Sequence, residues 1–352
     1  SATAASGETT ADGTREAGGE TAENDDAAAN DRNGDAPNDG PCDHGVERDR
    51  ITQTPGTQPR TRYMTVDLDT PVLDNHLHLD PRHGRGLAAV EDFVRLGGTH
   101  LLVVNKPSWH LGVKATDPAD FRAVFEETCS IVDDATELLP GRAWPVLGVH
   151  PGLVSRLVDD RDFSPSDARE LMCGGIEVAA EYVAEGRALA LKSGRPHYEV
   201  TDAVWEASNA VIRRAFECGA DEDCAVQLHT EATEDLTDLA TVAESVGLDP
   251  TRVVKHYAAG RLAGPTPSVM SERDRLERAA AAGRPFLMET DFVDDPDRPG
   301  MVLGPKTVPR RVRWLLESGH DDAVRRAHVE TPAAVYGIDT EATLDPPTED
   351  PA

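Results

Sequence analysis

Past Met64 the chain alternates between short apolar runs and longer amphipathic stretches. The runs are Val72–His78, His100–Asn105, Trp144–His150, a fourth beginning at Leu189, Ala225–His229, Arg252–His256, Pro267–Met270 and Phe286–Glu289. Each has strand length and is rich in Val, Leu and Ala. Between them lie segments with helical spacing of apolar positions. Leu87–Leu96 is amphipathic and stops at Gly97-Gly98, as helices do. Thr116-Asp117-Pro118 opens a helix that runs to Thr136. Further helices are predicted over Pro165–Glu185, Thr201–Cys218, Thr233–Val246, Glu272–Ala282, Val308–Leu316 and Asp321–Tyr336.

Regular alternation of strand and helix predicts an α/β chain folded as a (β/α)8 TIM-like barrel. The rival is an open doubly wound sheet. No Gly-rich phosphate loop follows the first strand, which disfavours it. Polar residues also close many of the apolar runs: His76 and His78, Lys192, His229, His256 and Asp291. At the C-terminal ends of barrel strands such residues converge on one mouth; in an open sheet they would be strung along an edge.

Residues 1–63 differ in kind. They are rich in Ala, Gly, Asp, Glu and Thr and almost devoid of large apolar side chains, so they cannot bury enough surface to offset their ordering entropy. We expect a disordered acidic tail over 1–63, a barrel over 64–340 and a flexible acidic tail over 341–352. Met64 stands just before the first strand, so the N-terminal tail also reads as an extension upstream of a later start. It has neither the basic start nor the apolar stretch of a signal peptide, and no run reaches the roughly 18 apolar residues of a membrane span. A cytoplasmic protein without membrane attachment or obligate protein partner is expected.

The 352 residues carry 35 Lys and Arg against 64 Asp and Glu, a formal net charge of −29. Acidic residues are spread along the whole chain and Lys is scarce beside Arg, the pattern of a halophilic, solvated surface rather than of a site for a basic partner. Such a field opposes tight binding of nucleic acid. The five cysteines form no C-x-x-C pair, and Cys218 and Cys224 flank a turn; they read as free thiols without a chemical role.

His76 and His78 are two residues apart on a strand, so their imidazoles face one point. With His229, His256 and Asp291 they make a set able to hold one divalent ion or, with a bridging group, two. Asp291 has a second use, as the base that takes a proton from the attacking water. Glu289 shares its face and reads as an acid orienting a histidine or as a salt-bridged barrel residue, the first being preferred.

These residues carry a family resemblance. D-N-H-L-H-L-D at Asp74–Asp80 resembles the H-x-H-L-D of the TatD-related branch of the amidohydrolase superfamily. L-G-V-H-P at Leu147–Pro151 resembles that family's G-x-H-P. V-Q-L-H-T and V-K-H-Y resemble its fifth- and sixth-strand histidines, M-E-T-D-F its E-T-D strand, and T-P-A-A-V-Y-G-I at Thr331–Ile338 its closing helix. The resemblance spans Val66 to Ile338. It implies a TIM-like barrel and hydrolysis dependent on divalent metal (Zn, Mn or Mg, one or two ions), with His76, His78, His229, His256 and Asp291 as ligands. One position departs. Where the family usually has a bridging Glu on strand four, this chain has Lys192. Phosphotriesterase-like relatives use there a lysine carboxylated by CO2, which turns a cation into a bridging anion. A single-metal site with Lys192 as an electrostatic or proton-transfer group, and a slipped register, stay open beside that reading.

His150, Arg195 and His197 are expected at the mouth as substrate contacts, Arg195 by bidentate binding of an anion. Asn105–His110 is a further candidate for the mouth lining, and His83 sits in a loop. The expected function is hydrolysis of a phosphodiester, ester, lactone or amide bond in a small-molecule or nucleic-acid-fragment substrate. The alternative is a degenerate barrel that binds metal or ligand without turnover. Removing the residues before Tyr63 should leave melting temperature and activity unchanged; loss of either on truncation would show that composition was misread as disorder.

Overall fold

The computed structural model describes residues 70–139, 142–297 and 302–344. The expected tail over 1–63 and most of the C-terminal one lie outside the described residues. The strands are β1 (Leu73–His78), β2 (His100–Val104), β3 (Ala143–Gly148), β4 (Ala190–Gly194), β5 (Ala225–His229), β6 (Val253–Ala258), β7 (Thr266–Met270), β8 (Leu287–Glu289) and β9 (Phe292–Val293). The helices between and after them are α1 (Leu87–Arg95), α2 (Phe121–Thr136), α3 (Leu153–Arg161), α4 (Pro165–Ala184), α5 (Asp202–Asp221), α6 (Thr237–Ser245), α7 (Arg273–Ala282), α8 (Thr307–Glu317), α9 (Asp321–Arg325) and α10 (Thr331–Tyr336).

Every strand pairs parallel with its neighbour in the order β8-β7-β6-β5-β4-β3-β2-β1-β9. The two ends of that order belong to one stretch of chain. Leu287–Glu289 bonds to β7, and two residues later Phe292–Val293 bonds to β1. The sheet therefore closes on itself, as the alternation of elements predicts. Closure removes both exposed sheet edges. The eighth strand, predicted over Phe286–Glu289, is followed by a further short strand, β9, that the sequence reading does not include; Asp291 between the two adopts φ +48°.

Local chemistry explains the helix boundaries. Ser164 caps α4 by accepting from the Asp167 N–H, with Pro165 at the first helical position. Thr201 caps α5 through the Val204 N–H. Gly283 ends α7 in the left-handed region. Helix α3, which follows His150-Pro151-Gly152, is not anticipated by the apolar pattern: it is short, and charged residues fill most of its outer face.

The barrel interior is a small apolar layer of Leu73, Leu102, Val104, Val146, Ala190, Ala225, Val254 and Leu287. Val335 and Tyr336 of α10 pack into it, so the last helix forms the floor. Larger clusters fill the space between strands and helices. No helix among the described residues is long and apolar enough to cross a membrane. Cys129, Cys173, Cys218 and Cys224 are free thiols.

His328, beside α10, is fully buried, and its Nδ1 accepts the Leu73 N–H (3.0 Å) at the start of β1. Burial pushes its pKa down from 6.5 to about 3. The unfolded chain therefore binds a proton that the folded chain refuses. The resulting stability is complete above pH 6.5 and is lost as pH falls toward 3. Thermal melts at pH 7.5 and pH 5 should show wild type losing more stability than His328→Gln, whose amide oxygen can still accept from Leu73; equal losses would refute the assignment.

Candidate metal centre

The first strand departs from strict alternation. Its pairing with β2 slips between Asp74 and Leu77, the mark of a bulge. As a result Asn75 and His76, although adjacent, both reach the interior: Asn75 Nδ2 donates to Ser268 Oγ on β7 (3.0 Å), and His76 lies against Lys192 of β4. His78, two residues on, faces the same site.

Asp291 arrives through the barrel seam. Its N–H donates to the His76 carbonyl (2.9 Å), and the Asp294 N–H to that of His78 (3.1 Å). Asp74 fixes the turn from below, accepting from both the N–H (3.0 Å) and the hydroxyl (2.7 Å) of Thr290. Asp291 sits in the left-handed region, which a short polar side chain tolerates but which remains strained. Its Oδ1 comes to 3.9 Å from His76 Nε2 and 3.8 Å from His78 Nε2.

The remaining predicted residues join this group. Lys192 Nζ lies 3.2 Å from His76 Nε2. The His76 and His256 rings stack with centroids 4.0 Å apart. His256 Nε2 and His229 Nδ1 are 2.9 Å apart, and His229 Nε2 and His197 Nδ1 3.0 Å. Glu289 accepts from His256 Nδ1 (3.2 Å) and the Tyr257 N–H (2.6 Å), which places it as the acid that orients a histidine. Tyr257, immediately after His256, has φ +59°, a second strained residue at the mouth.

Two tests show that these groups suit a divalent ion. The first is the tautomer. His78 Nδ1 donates to the Val104 carbonyl (2.9 Å) and His76 Nδ1 to Gln227 Oε1 (2.7 Å). Both leave a bare Nε2 facing Asp291, the state a ligating imidazole needs. The second is charge. Burial, followed by the Lys192 charge, pushes His78 down to about 3 and His76 well below 6.5. Burial likewise drives His150, His229 and His256 well below it. All are therefore neutral imidazoles, the form a metal ligand requires of His76, His78, His229 and His256. Burial and then the Asp291 charge push Glu289 well above the usual carboxylate range. His76, His78 and Asp291 each offer a ligand atom within 4.8 Å of the others, and so do His76, His256 and Glu289.

The outer candidates divide. His150 packs its ring 4.9 Å from that of His229. Its Nδ1 accepts the Gly152 N–H (3.1 Å), so its proton is on Nε2 and it is a donor rather than a ligand. Trp109 stands edge-on to His150 at 5.5 Å. His197 is exposed at the rim. Arg195 requires a correction. Its guanidinium is held bidentately by Glu231, with Nε to Oε2 at 2.8 Å, and also donates to Asp238 (3.0 Å) and Asn209 (3.1 Å) over the Trp205 ring. Protein carboxylates already neutralise it, and it serves as a clamp between the loop after β4 and α6. His83 is a surface residue with 74% of its side chain exposed. Lys106 is buried in an ion pair with Asp80 (2.7 Å).

Reasoning from sequence missed Gln227, Asn75 and Tyr336, which hold the ligand candidates from below. The available signal was Gln227 itself: a polar residue in an apolar run, two before His229 and so on its face.

A closed parallel barrel with imidazoles and carboxylates gathered at the strand C-termini defines the class of metal-dependent hydrolases of the amidohydrolase type. Within that class the chain belongs to the TatD related DNase family, whose model matches residues 73–337. The uncharacterized protein MJ1127 of Methanocaldococcus jannaschii is 34% identical over 290 residues, 79% of this chain and all of that one. In fold the chain is similar to the organophosphorus hydrolase from Deinococcus radiodurans, with TM-score 0.51 and 16% identity over 80% of this chain and 99% of that one. A single-substitution variant of that enzyme gives TM-score 0.52 and 15% identity over 78% of this chain and 98% of the other.

Gly148 sets the distance between β3 and β4. A Cβ there would meet the Lys192 carbonyl oxygen at 1.8 Å, and a backbone neighbour cannot swing away. Gly148→Ala should cost about 1–3 kcal/mol or more, read as a lower unfolding midpoint in denaturant, and should weaken metal uptake by displacing Lys192. An unchanged midpoint would contradict this packing.

Proposed function

We propose that this protein is a cytoplasmic hydrolase that activates water at a mono- or binuclear divalent-metal site. His76, His78, His229, His256 and Asp291 would be its ligands, with Lys192, carboxylated, as the bridging anion. The observation that carries the reading is the convergence of two bare Nε2 atoms and one Asp291 oxygen within 4 Å, beside a buried lysine at 3.2 Å. A bound ion supplies a Lewis acid and makes water acidic near neutral pH.

The chain's own groups supply the rest. Asp291 is held rigidly by its backbone bond to His76 and takes the proton of the attacking water. His150, fixed as the Nε2–H tautomer by Gly152, donates to a substrate oxygen at the mouth, with His197 at the rim. The bond cleaved is a phosphodiester, ester, lactone or amide. The family name favours the first. The net charge of −29 favours a short substrate, a small molecule or nucleic-acid fragment, over a long polyanion. Binding of metal or ligand without turnover is the second reading, and Lys192 in place of an acid is what favours it.

A carboxylated Lys192 removes the electrostatic conflict of an ammonium among ligands, since two close divalent ions need an anion between them. Lys192→Ala should then lose metal and activity together, with affinity down by at least about 10–100-fold, the loss that removing even an outer hydrogen-bonding partner of a ligand causes. Short carboxylic acids should restore part of both, and Lys192→Glu should retain metal. Metal content by mass spectrometry and turnover on a phosphodiester and lactone panel decide it. Full metal content in Lys192→Ala would exclude the bridge, and wild type that binds metal but turns over nothing would favour the second reading.

A further inference from the structure

Beneath the metal-centre candidates runs a closed set of hydrogen bonds that no ligand assignment uses. Its direction follows from one atom. Gln227 Nε2 donates to the Asn75 main-chain carbonyl (3.0 Å), a group that can only accept. The amide orientation is thereby fixed, so Oε1 is what faces His76 Nδ1 at 2.7 Å. An oxygen there can only accept, so His76 must carry its proton on Nδ1.

The other end is equally constrained. The second Gln227 Nε2 proton goes to the Tyr336 hydroxyl (2.9 Å). That hydroxyl must then donate its own proton, and it does, to Asn75 Oδ1 (2.7 Å). Asn75 Nδ2 in turn donates to Ser268 Oγ (3.0 Å), and Ser268 Oγ donates to Glu289 Oε2. Glu289 Oε1 meets His256 Nδ1 at 3.2 Å. One chain of donors thus runs from His76 on β1, through β5, α10, β1 again and β7, to the carboxylate that orients His256. Asn75, Gln227, Ser268 and Glu289 have no exposed surface, so water does not replace a lost partner cheaply. The His76 end does not depend on the protonation of Glu289, because the Asn75 carbonyl alone sets it.

We propose that Gln227, held in place by Tyr336 and the Asn75 carbonyl, is a positioning residue that locks His76 as the Nδ1–H tautomer, with Nε2 bare for a metal. Gln227 touches neither substrate nor metal; it acts through His76. The role deepens the hydrolase reading and rests on it only for the use to which the bare nitrogen is put.

Two measurements test it. The first needs no metal and no activity. Ring nitrogens of 15N-histidine-labelled, metal-free protein are observed by NMR in a Lys192→Ala background, which removes the ammonium group that faces His76 Nε2; His76→Gln in that background identifies the signals. Lys192→Ala should show His76 as Nδ1–H, and Lys192→Ala with Gln227→Leu should move it predominantly to Nε2–H. The second is zinc binding by calorimetry with Lys192 intact. Gln227→Leu should bind about 10–100-fold more weakly, Tyr336→Phe should be weakened less and in the same direction, and Gln227→Glu, which keeps an oxygen toward His76, should recover affinity relative to Gln227→Leu. Should Gln227→Leu fail to fold, Gln227→Met, closer in length and likewise without an oxygen toward His76, carries both measurements. His76 remaining Nδ1–H without Gln227, or already Nε2–H with it, overturns the proposal. Wild type that binds no divalent metal would overturn the hydrolase reading and leave the tautomer result to judge this one.

Discussion

The site depends on the seam where the barrel closes. Residues 290–294 bond to β1 through the Asp74 carboxylate, the His76 carbonyl and the His78 carbonyl, and those same bonds bring Asp291 to its two histidines. Closure of the sheet and assembly of the candidate centre are therefore one event. Any change that opens the seam separates the carboxylate from the imidazoles before it disturbs the rest of the core. The left-handed backbone at Asp291 belongs to this economy: a strand that ran straight on would carry the carboxylate past the site, and the seam bonds hold the turn that prevents it.

Electrostatics divides the molecule into two regimes. The chain as a whole is strongly acidic, yet the interior of its mouth gathers neutral imidazoles around a buried lysine, with Asp291 and Glu289 on one side. In a low-dielectric pocket each of these groups is costly alone. Burial holds the histidines in their neutral form and lifts Glu289; a divalent cation would reverse the second effect and use the first. The polar chain through Gln227, Tyr336 and Asn75 pairs the donors and acceptors directly beneath His76, which allows so polar a layer to sit above a floor of Leu, Val and Ala.

Much of this was legible in the residues themselves. The spacing of apolar runs predicts the barrel, and the two-residue period places His76 and His78 together. Polar run endings pick out Lys192, His229, His256 and Asp291, because a barrel converges its strand ends whatever their separation in sequence. What could not be read depended on contacts between distant segments or on broken regularity. Strict alternation sends Asn75 outward, and only the bulge in β1 turns it in. Arg195 looks like an anion contact until Glu231 and Asp238 are folded against it. Tyr336 reads as a helix residue until α10 is placed beneath the strands.

That placement bears on how the protein is made. Asn75 and Tyr336 are 261 residues apart, and Asp74 and Thr290 are 216 apart. On the ribosome His76 and His78 emerge long before the turn that sets Asp291 beside them, and the helix that underpins Gln227 is the last of the described helices to follow. A nascent chain therefore presents its early imidazoles without the geometry that would let them compete for a metal. Such non-local pairings form late and slowly. An ion of the kind proposed above would find its ligands assembled only after the last described helix has been synthesised and docked, so assembly of the barrel would precede its loading.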